Sequence, residues 1–246
     1  MEARLSCGMS RTPTRLHVTE PLSEAAEIIL PQAQAHYLRN VLRLAVGDAL
    51  FLFNGRDGEW RADLRDLGKR QATLALTVQT RPQAPEPGPW LLFAPLKKDR
   101  TDFLVEKATE LGAAVLWPLF TRHTMTRRVN LERLRAQATE AAEQCGRLTL
   151  PEIREPMDLM DLESRWDGSR PLWIADEART GSSLVQQDLS VPPGLLIGPE
   201  GGFAEAELDL MGRLPFAVRV SLGPRLLRAE TAAVAALAGW QALTDT

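Results

Sequence analysis

The stretch "GLLIGPEGGFAEAEL", residues 194–208, decides how the second half of the chain is read. A short apolar run, Leu195-Leu196-Ile197, enters a loop of Gly198, Pro199, Glu200, Gly201 and Gly202, and an acidic, helix-like segment follows. A glycine loop between a strand and a helix serves either a tight turn needed for packing or a ligand that approaches the backbone closely. This one lacks the Lys-Ser/Thr ending of a P-loop and the spacing of the GxGxxG dinucleotide fingerprint. A carboxylate at Glu200 would repel a phosphate, so a neutral or cationic ligand fits it better.

A second loop of this kind stands at "SLGPRLLRAETAA", residues 221–233. Ser221, Leu222 and Gly223 close a strand-like run, and Pro224 tightens the turn. Leu227, Arg228, Glu230 and Thr231 then flank the start of an alanine-rich helix. Two glycine loops at the carboxyl ends of parallel strands border one crevice. Read alone, Arg228 fits a surface ion pair with Glu230. A third segment, "EAAEQCGR" at residues 140–147, sets Glu140 and Gln144 on one helical face and Glu143 opposite Arg147 at i, i+4. Read alone, it fits a solvated helix end, with Cys145 as a small buried hydrophobe. His123 has no partner pattern, and no metal site is expected.

Outward from these loops, apolar runs alternate with helical patterns. "WLLFAPL", "AAVLWPLF", "LWIAD", "LLIG" and "AVRVSLG" read as strands. Between the first two lies "TDFLVEKATELG", expected to be capped by Thr101 or Asp102, to bury Leu104, Ala108 and Leu111, and to stop at Gly112. Asn130 is expected to cap "LERLRAQATEAAEQCG", with Leu134, Ala138, Ala141 and Cys145 inward and Gly146 as the stop. This alternation predicts a mostly parallel α/β sheet with helices on both faces. Before residue 81 the pattern is different. "DALFLFNG" and "ATLALTVQT" alternate with turn signals, as in a small antiparallel barrel or sheet. "QAQAHYLRNVLRL" interrupts them as a helix with Tyr37, Val41 and Leu44 on one face. "RPQAPEPGPW" carries four prolines and a glycine and continues neither helix nor central strand. The expected organisation is therefore a first domain over 1–80, a linker over 81–89 and a second domain over 90–246.

The 246 residues are 44% hydrophobic and 25% charged, ordinary for a globular protein. No apolar run approaches a membrane span, and the N-terminus lacks the apolar core of a signal peptide. Two cysteines, Cys7 and Cys145, give no disulfide framework, so a reduced, cytoplasmic setting is expected. The net charge of −3 argues against nonspecific coating by nucleic acid. The arginines nevertheless cluster, around Arg4, Arg11, Arg15, Arg39 and Arg43, and again at Arg122, Arg127, Arg128, Arg133 and Arg135. A GC-rich genome accounts for an excess of arginine but not for its clustering, which fits selective contact with nucleic acid.

Taken together, "LLIGPEGGFAEAEL" and "VSLGPRLLRAETAA" resemble the SPOUT-class RNA methyltransferases. "HYLRNVLRLAVGDALFLFNG", "KKDRTDFLVEKATELGAAVLWPLFTRHT" and "EAAEQCGR" are similar to the bacterial family that methylates N3 of a uridine in 16S ribosomal RNA. The resemblance runs from about Arg15 to the C-terminus and leaves residues 1–13 outside it, as an extension or a misassigned start. It implies an α/β domain with a C-terminal trefoil knot, preceded by a PUA-like RNA-binding β-barrel. It also implies a homodimer whose active site lies near the subunit interface, and S-adenosyl-L-methionine as methyl donor. Its adenosine would be held by the loops after "LWIAD", "LLIG" and "VSLG". That places Ile197, Gly198, Pro199, Glu200, Gly201, Gly202, Ser221, Leu222, Gly223, Leu227 and Thr231 at the cofactor. Arg228, Glu230 and Glu143 become catalytic candidates, and Arg15, Arg39, Arg43, Arg122, Arg127, Arg128 and Arg147 candidates for contact with 16S RNA or the 30S subunit. "HTMTRR" departs from the family, which commonly has an Arg-Ser pair there. A SPOUT enzyme for another RNA or atom, and a noncatalytic RNA-binding module, are the alternatives.

Overall fold

The computed structural model describes residues 14–175 and 181–244. The expected extension over residues 1–13, with Arg4, Cys7 and Arg11, and residues 176–180, where the cofactor loop after "LWIAD" is expected, lie outside the described residues. The chain forms two compact units, divided between Ala84 and Pro85.

The first unit is a five-stranded sheet, with strands β1 (Arg15–His17), β2 (Glu27–Pro31), β3 (Ala49–Phe53), β4 (Glu59–Leu67) and β5 (Gln71–Arg81) in the order β1-β3-β4-β5-β2. Side chains alternate between its faces, so Ile28, Leu30, Leu50, Leu52, Leu64 and Leu74 share one core. The β3–β4, β4–β5 and β5–β2 pairs are antiparallel as expected, but β1 runs parallel to β3. In the turn after β3, Asn54 Oδ1 accepts from the N–H groups of Arg56 and Asp57 at 3.0 and 2.9 Å. The expected helix is α1 (Gln32–His36), and it passes into a π-helical turn over Tyr37–Val41. Leu42 N–H reaches back five residues to Tyr37 O at 3.1 Å. The wider turn puts fewer degrees between successive residues and rotates the expected face. Ala35 and Leu38 are fully buried, while Val41 is exposed.

The second unit is built on a parallel sheet, and its first half runs β6 (Trp90–Phe93), α2 (Lys98–Glu110), β7 (Val115–Phe120), α3 (Leu131–Cys145), β8 (Glu152–Ile153) and β9 (Met157–Asp158). The second half runs α4 (Leu162–Arg165), β10 (Leu172–Ala175), β11 (Ser182–Ser183), β12 (Gly194–Ile197), α5 (Glu205–Arg213), β13 (Ala217–Ser221) and α6 (Ala229–Thr244). The order is β11-β13-β10-β12-β6-β7-β8, with β9 pairing β7. Both faces are covered, so the strands read as continuous apolar runs rather than alternating ones. Leu91, Phe93, Leu195 and Ile197 face α2, α3 and α6. Leu92, Leu196 and Ile174 face the other way, onto Trp166 and Met211. Ala232, Ala233 and Ala236 let α6 come close to β12 and α2.

Asn130 caps α3 as expected, accepting from Arg133 N–H at 3.0 Å, and Gly112 and Gly146 end their helices at φ 79° and 86°. Two expectations fail. α2 begins at Lys98, ahead of Thr101 and Asp102. The Thr101 hydroxyl instead bonds the backbone of Leu96, at 3.1 and 3.0 Å, while Asp102 pairs with Arg133. Cys145 is exposed rather than buried, because α3 turns its Ala141 and Ala142 inward at this end.

The segment between the sheets is fastened to the second unit. Glu86 accepts from Arg147 Nε and from Leu148 N–H, both at 3.1 Å, and Arg147 Nη1 donates to Thr109 O and Ala113 O at 2.9 Å. Arg147, only 9% exposed, thus ties the ends of α2 and α3 to this segment. Replacing it with Met strands two carbonyls and a carboxylate. The expected loss is about 2 kcal/mol of stability, read by denaturant unfolding. RNA affinity of the folded variant is expected to match the parent.

Candidate functional site at the carboxyl edge of the sheet

β12 lies between β10 and β6, and its last residue, Ile197, registers with Phe93. The chain leaves β12 into the glycine loop, where Gly202 N–H donates to Pro199 O at 3.0 Å and closes a tight turn. Gly202 has φ 68°, in the left-handed region that a β-branched side chain enters at a cost. A Cβ at Gly198 would lie 2.7 Å from the Phe203 ring, so that position is set by close packing.

The loop is held from outside by three side chains. Glu207, 4% exposed, accepts through one oxygen from Ala204 N–H at 2.8 Å, where it closes the first turn of α5. Its other oxygen accepts from Arg122 N–H at 2.7 Å. His123 Nδ1 lies 3.0 Å from Gly202 O. The third is Arg100, on the first turn of α2. It hydrogen bonds Glu200 through Nη1, and its Nε stands 3.7 Å from Glu230 Oε1. One guanidinium therefore serves both an acid of the glycine loop and an acid of α6. Neither Arg100 nor Glu207 stood out in the sequence. Glu207 sits three residues after an alanine, so the usual Ser/Thr signature of a capping box is missing. Arg100 reads locally as one more charge in "KKDR".

Inside this frame is a cavity of about 240 Å³, lined by Ala175, Ile197, Gly198, Pro199, Glu200, Leu226, Leu227, Arg228, Ala229 and Ala232. Of the expected cofactor residues, Ile197, Gly198, Pro199, Glu200 and Leu227 line it, and Arg228 stands at the same wall. Gly201, Gly202, Ser221, Leu222, Gly223 and Thr231 do not; Gly202 shapes the turn, and Thr231 is exposed. The expected Arg228–Glu230 pair is replaced by Arg100–Glu230, and among the described residues Arg228 makes no ion pair. Glu230 Oε2 is buried without a hydrogen-bond partner. Glu143, on α3, does not line the cavity.

The arginine candidates divide by environment. Arg147 is the buried strut described above and has no free face for RNA. Arg15, with a side chain 6% exposed, pairs with Glu59 at 2.7 Å and lies over Phe53. Arg39 donates to Leu67 O and Gly68 O and is half-buried. Arg43, Arg122 and Arg128 are exposed. Arg127 is exposed too, 3.6 Å from Asp158 and over the Phe120 ring.

Residues 85–241 match the family described as RNA methyltransferase domain, and residues 30–77 match the RNA methyltransferase PUA domain. The chain is 36% identical to "Ribosomal RNA small subunit methyltransferase E" of Rickettsia conorii, over 91% of this chain and 93% of that one. The protein of the same name in Synechocystis sp. is also 36% identical, over 90% of this chain and 75% of that one. Among solved structures, a small subunit methyltransferase E of Neisseria gonorrhoeae bound to S-adenosyl methionine matches with TM-score 0.86 and 28% identity, covering 94% of this chain and 98% of that one. A Legionella pneumophila methyltransferase described as putative, in complex with the same cofactor, matches with TM-score 0.84 and 27% identity, with the same coverage.

The geometry of the loop separates two glycines that look alike in sequence. Gly202→Val is expected to strain the turn by about 1–3 kcal/mol and to lower affinity for S-adenosylhomocysteine at least tenfold. Gly201→Ala, whose Cβ would sit 3.3 Å from His123 Cβ, needs only a small shift and keeps binding within a few-fold. Titration calorimetry on both variants checks this, and parental affinity in Gly202→Val would remove the loop from the binding site.

Proposed function

The chain belongs to the ribosomal RNA small subunit methyltransferase E family, and on that premise we propose that it methylates small-subunit ribosomal RNA with S-adenosyl-L-methionine, at N3 of a uridine. The observation that carries the reading is the cavity at the carboxyl end of β12. Its walls are the backbone of the glycine loop and apolar side chains, with one acid, Glu200, already neutralised by Arg100, and the guanidinium of Arg228 at one side. The apolar part of this lining suits an uncharged adenosyl group. Ile197, Gly198, Pro199 and Leu227 are the residues we assign to it, with Gly201, Gly202, Ser221, Leu222, Gly223 and Thr231 as the supporting loops.

When bound, the cofactor supplies an electrophilic methyl group. The residues of this chain must prepare the acceptor. N3 of uridine carries a proton and has no lone pair free for attack. The N3–H bond must break, the new N3–C bond must form as the S–C bond breaks, and charge must spread onto O2 and O4 meanwhile. Arg228 is permanently charged, exposed at the cavity wall and without a carboxylate partner among the described residues. These features support it as the donor to the developing oxyanion. Glu230 is the preferred proton acceptor over Glu143. It stands on the first turn of α6 beside the lining residue Ala229, and its Oε2 has no donor to satisfy it.

The resemblance of the motifs extends the proposal to finer features. The first unit, matched in part to a PUA domain, is read as a closed RNA-binding barrel over about 1–80. Residues 90–246 are read as the knotted catalytic domain. Two copies are read as a homodimer, and Leu226, exposed at the edge of the cavity, supports coverage by a second subunit. Cytoplasmic assembly with 16S RNA or the 30S subunit follows from the same reading. No helix among the described residues is long and apolar enough to cross a membrane.

Arg228→Ala is expected to lower single-turnover methylation of small-subunit RNA about a hundredfold, the usual loss on removing a preorganised oxyanion donor. Cofactor affinity changes only a few-fold, because the lining there is mainly backbone. Arg228→Lys recovers little, since an ammonium lacks the planar fork. The melting temperature stays near the parent's, because the guanidinium beside Glu230 belongs to Arg100. A normal single-turnover rate would remove Arg228 from the mechanism.

A further inference from the structure

The carboxyl edge of the sheet carries a second cavity, of about 270 Å³, between the starts of α2 and α3. We propose that this cavity is a subsite for one unpaired nucleotide of the RNA strand, adjoining the nucleotide that reacts. The base would lie on its apolar floor, with the neighbouring phosphates at Lys98 and Arg128. The inference rests on the methyltransferase reading and adds the path of the substrate strand beside the methyl acceptor.

Position is the first argument. Phe93 belongs to the floor of this cavity, and its register partner Ile197 lines the cofactor cavity. Paired strands lie about 4.8 Å apart, so the two cavities stand on adjacent strands at one edge of the sheet. The first turn of α2 serves both. Arg100 reaches the glycine loop, while Lys98 and Thr101 border the second cavity.

The lining is the second argument. Phe93, Leu96, Val129 and Leu134 make an apolar base, which a free phosphate has no use for and a nucleobase face does. The wall formed by Asp102 and Arg133 is already neutral, since the carboxylate takes both Nε, at 2.8 Å, and Nη2 of the guanidinium. That leaves Lys98 and Arg128, both exposed and neither in an ion pair among the described residues. The rim therefore carries two uncompensated positive charges over an apolar floor, complementary to a base flanked by phosphates. A duplex does not fit this shape. Its bases are stacked and its edges lie in grooves, whereas a cavity between two helices needs a base splayed out of the stack.

The test uses the full chain and fluorescence anisotropy with a uridine-containing single-stranded RNA from the small subunit, beside a duplex of the same sequence. Lys98→Gln is expected to weaken single-strand binding about tenfold and to lower the slope of log affinity against log salt by about one, as loss of one phosphate contact does. Thr126→Trp, which fills the cavity from a lining position, is expected to weaken binding about tenfold with the salt slope unchanged. Duplex binding stays as in the parent for both. A thermal melt establishes that both variants are folded, and S-adenosylhomocysteine titration is expected to give parental affinity. Unchanged single-strand affinity in both variants overturns the subsite. So does a fall in cofactor affinity, which would assign the cavity to the cofactor. Because the readout is binding, a parent that binds RNA and cofactor but leaves small-subunit RNA unmethylated counts against the reaction and not against the subsite.

Discussion

The parallel pairing of Leu195–Ile197 with Leu91–Phe93 is the constraint on which the functional half of the chain depends. These strands are about a hundred residues apart in sequence, yet β12 is inserted beside β6 at the middle of the sheet rather than added at an edge. Burial on both faces enforces the register, because a slip of one residue would exchange the sets facing α6 and Trp166. With the register fixed, the glycine loop after Ile197 and the chain after Phe93 emerge side by side. The carboxyl ends of neighbouring strands are where an open α/β sheet can hold a ligand.

Arg100 then converts proximity into a defined shape. Glu200 is carried by the loop after β12 and Glu230 by α6, and two carboxylates brought close would repel without a shared cation. The guanidinium lies against both, from a third element. It is partly exposed, so its direct contribution to stability is modest. Its larger effect is on geometry, since it leaves Glu200 occupied and Arg228, among the described residues, outside any ion pair. Glu207 does comparable service on the far side of the loop, fastening it to the chain at Arg122.

Much of this was legible in the sequence, for local reasons. The strands of the second unit announced themselves as short apolar runs, and Asn130, Gly112 and Gly146 marked helix ends through the backbone geometry each permits. That the glycine loop and Arg228 border one cavity was legible because strand, loop and helix follow one another without interruption. What failed depended on contacts distant in sequence. Arg147 and Arg15 look like any surface arginine until Glu86, Thr109, Ala113 and Glu59 are brought to them. Thr101 looked like a cap because it opens the apolar-periodic run "TDFLVEKATELG", but the helix begins three residues earlier and its hydroxyl is taken by Leu96. Val41 was misplaced because no residue pattern signals the π-helical turn that rotates it outward.

The fastening of Glu86 to Arg147 and Leu148 also bears on how the chain divides into folding pieces. A proline-rich run between two sheets invites a cut at its far end, just before Trp90. Such a cut would discard Glu86 and leave a half-sealed guanidinium facing the carbonyls of Thr109 and Ala113 without its counter-charge. It would also remove Gly88, which packs so tightly on the backbone of Gly112 that an added Cβ would lie 2.0 Å from the carbonyl oxygen. The second unit therefore includes the segment from Pro85, which belongs to it as firmly as the strand that follows.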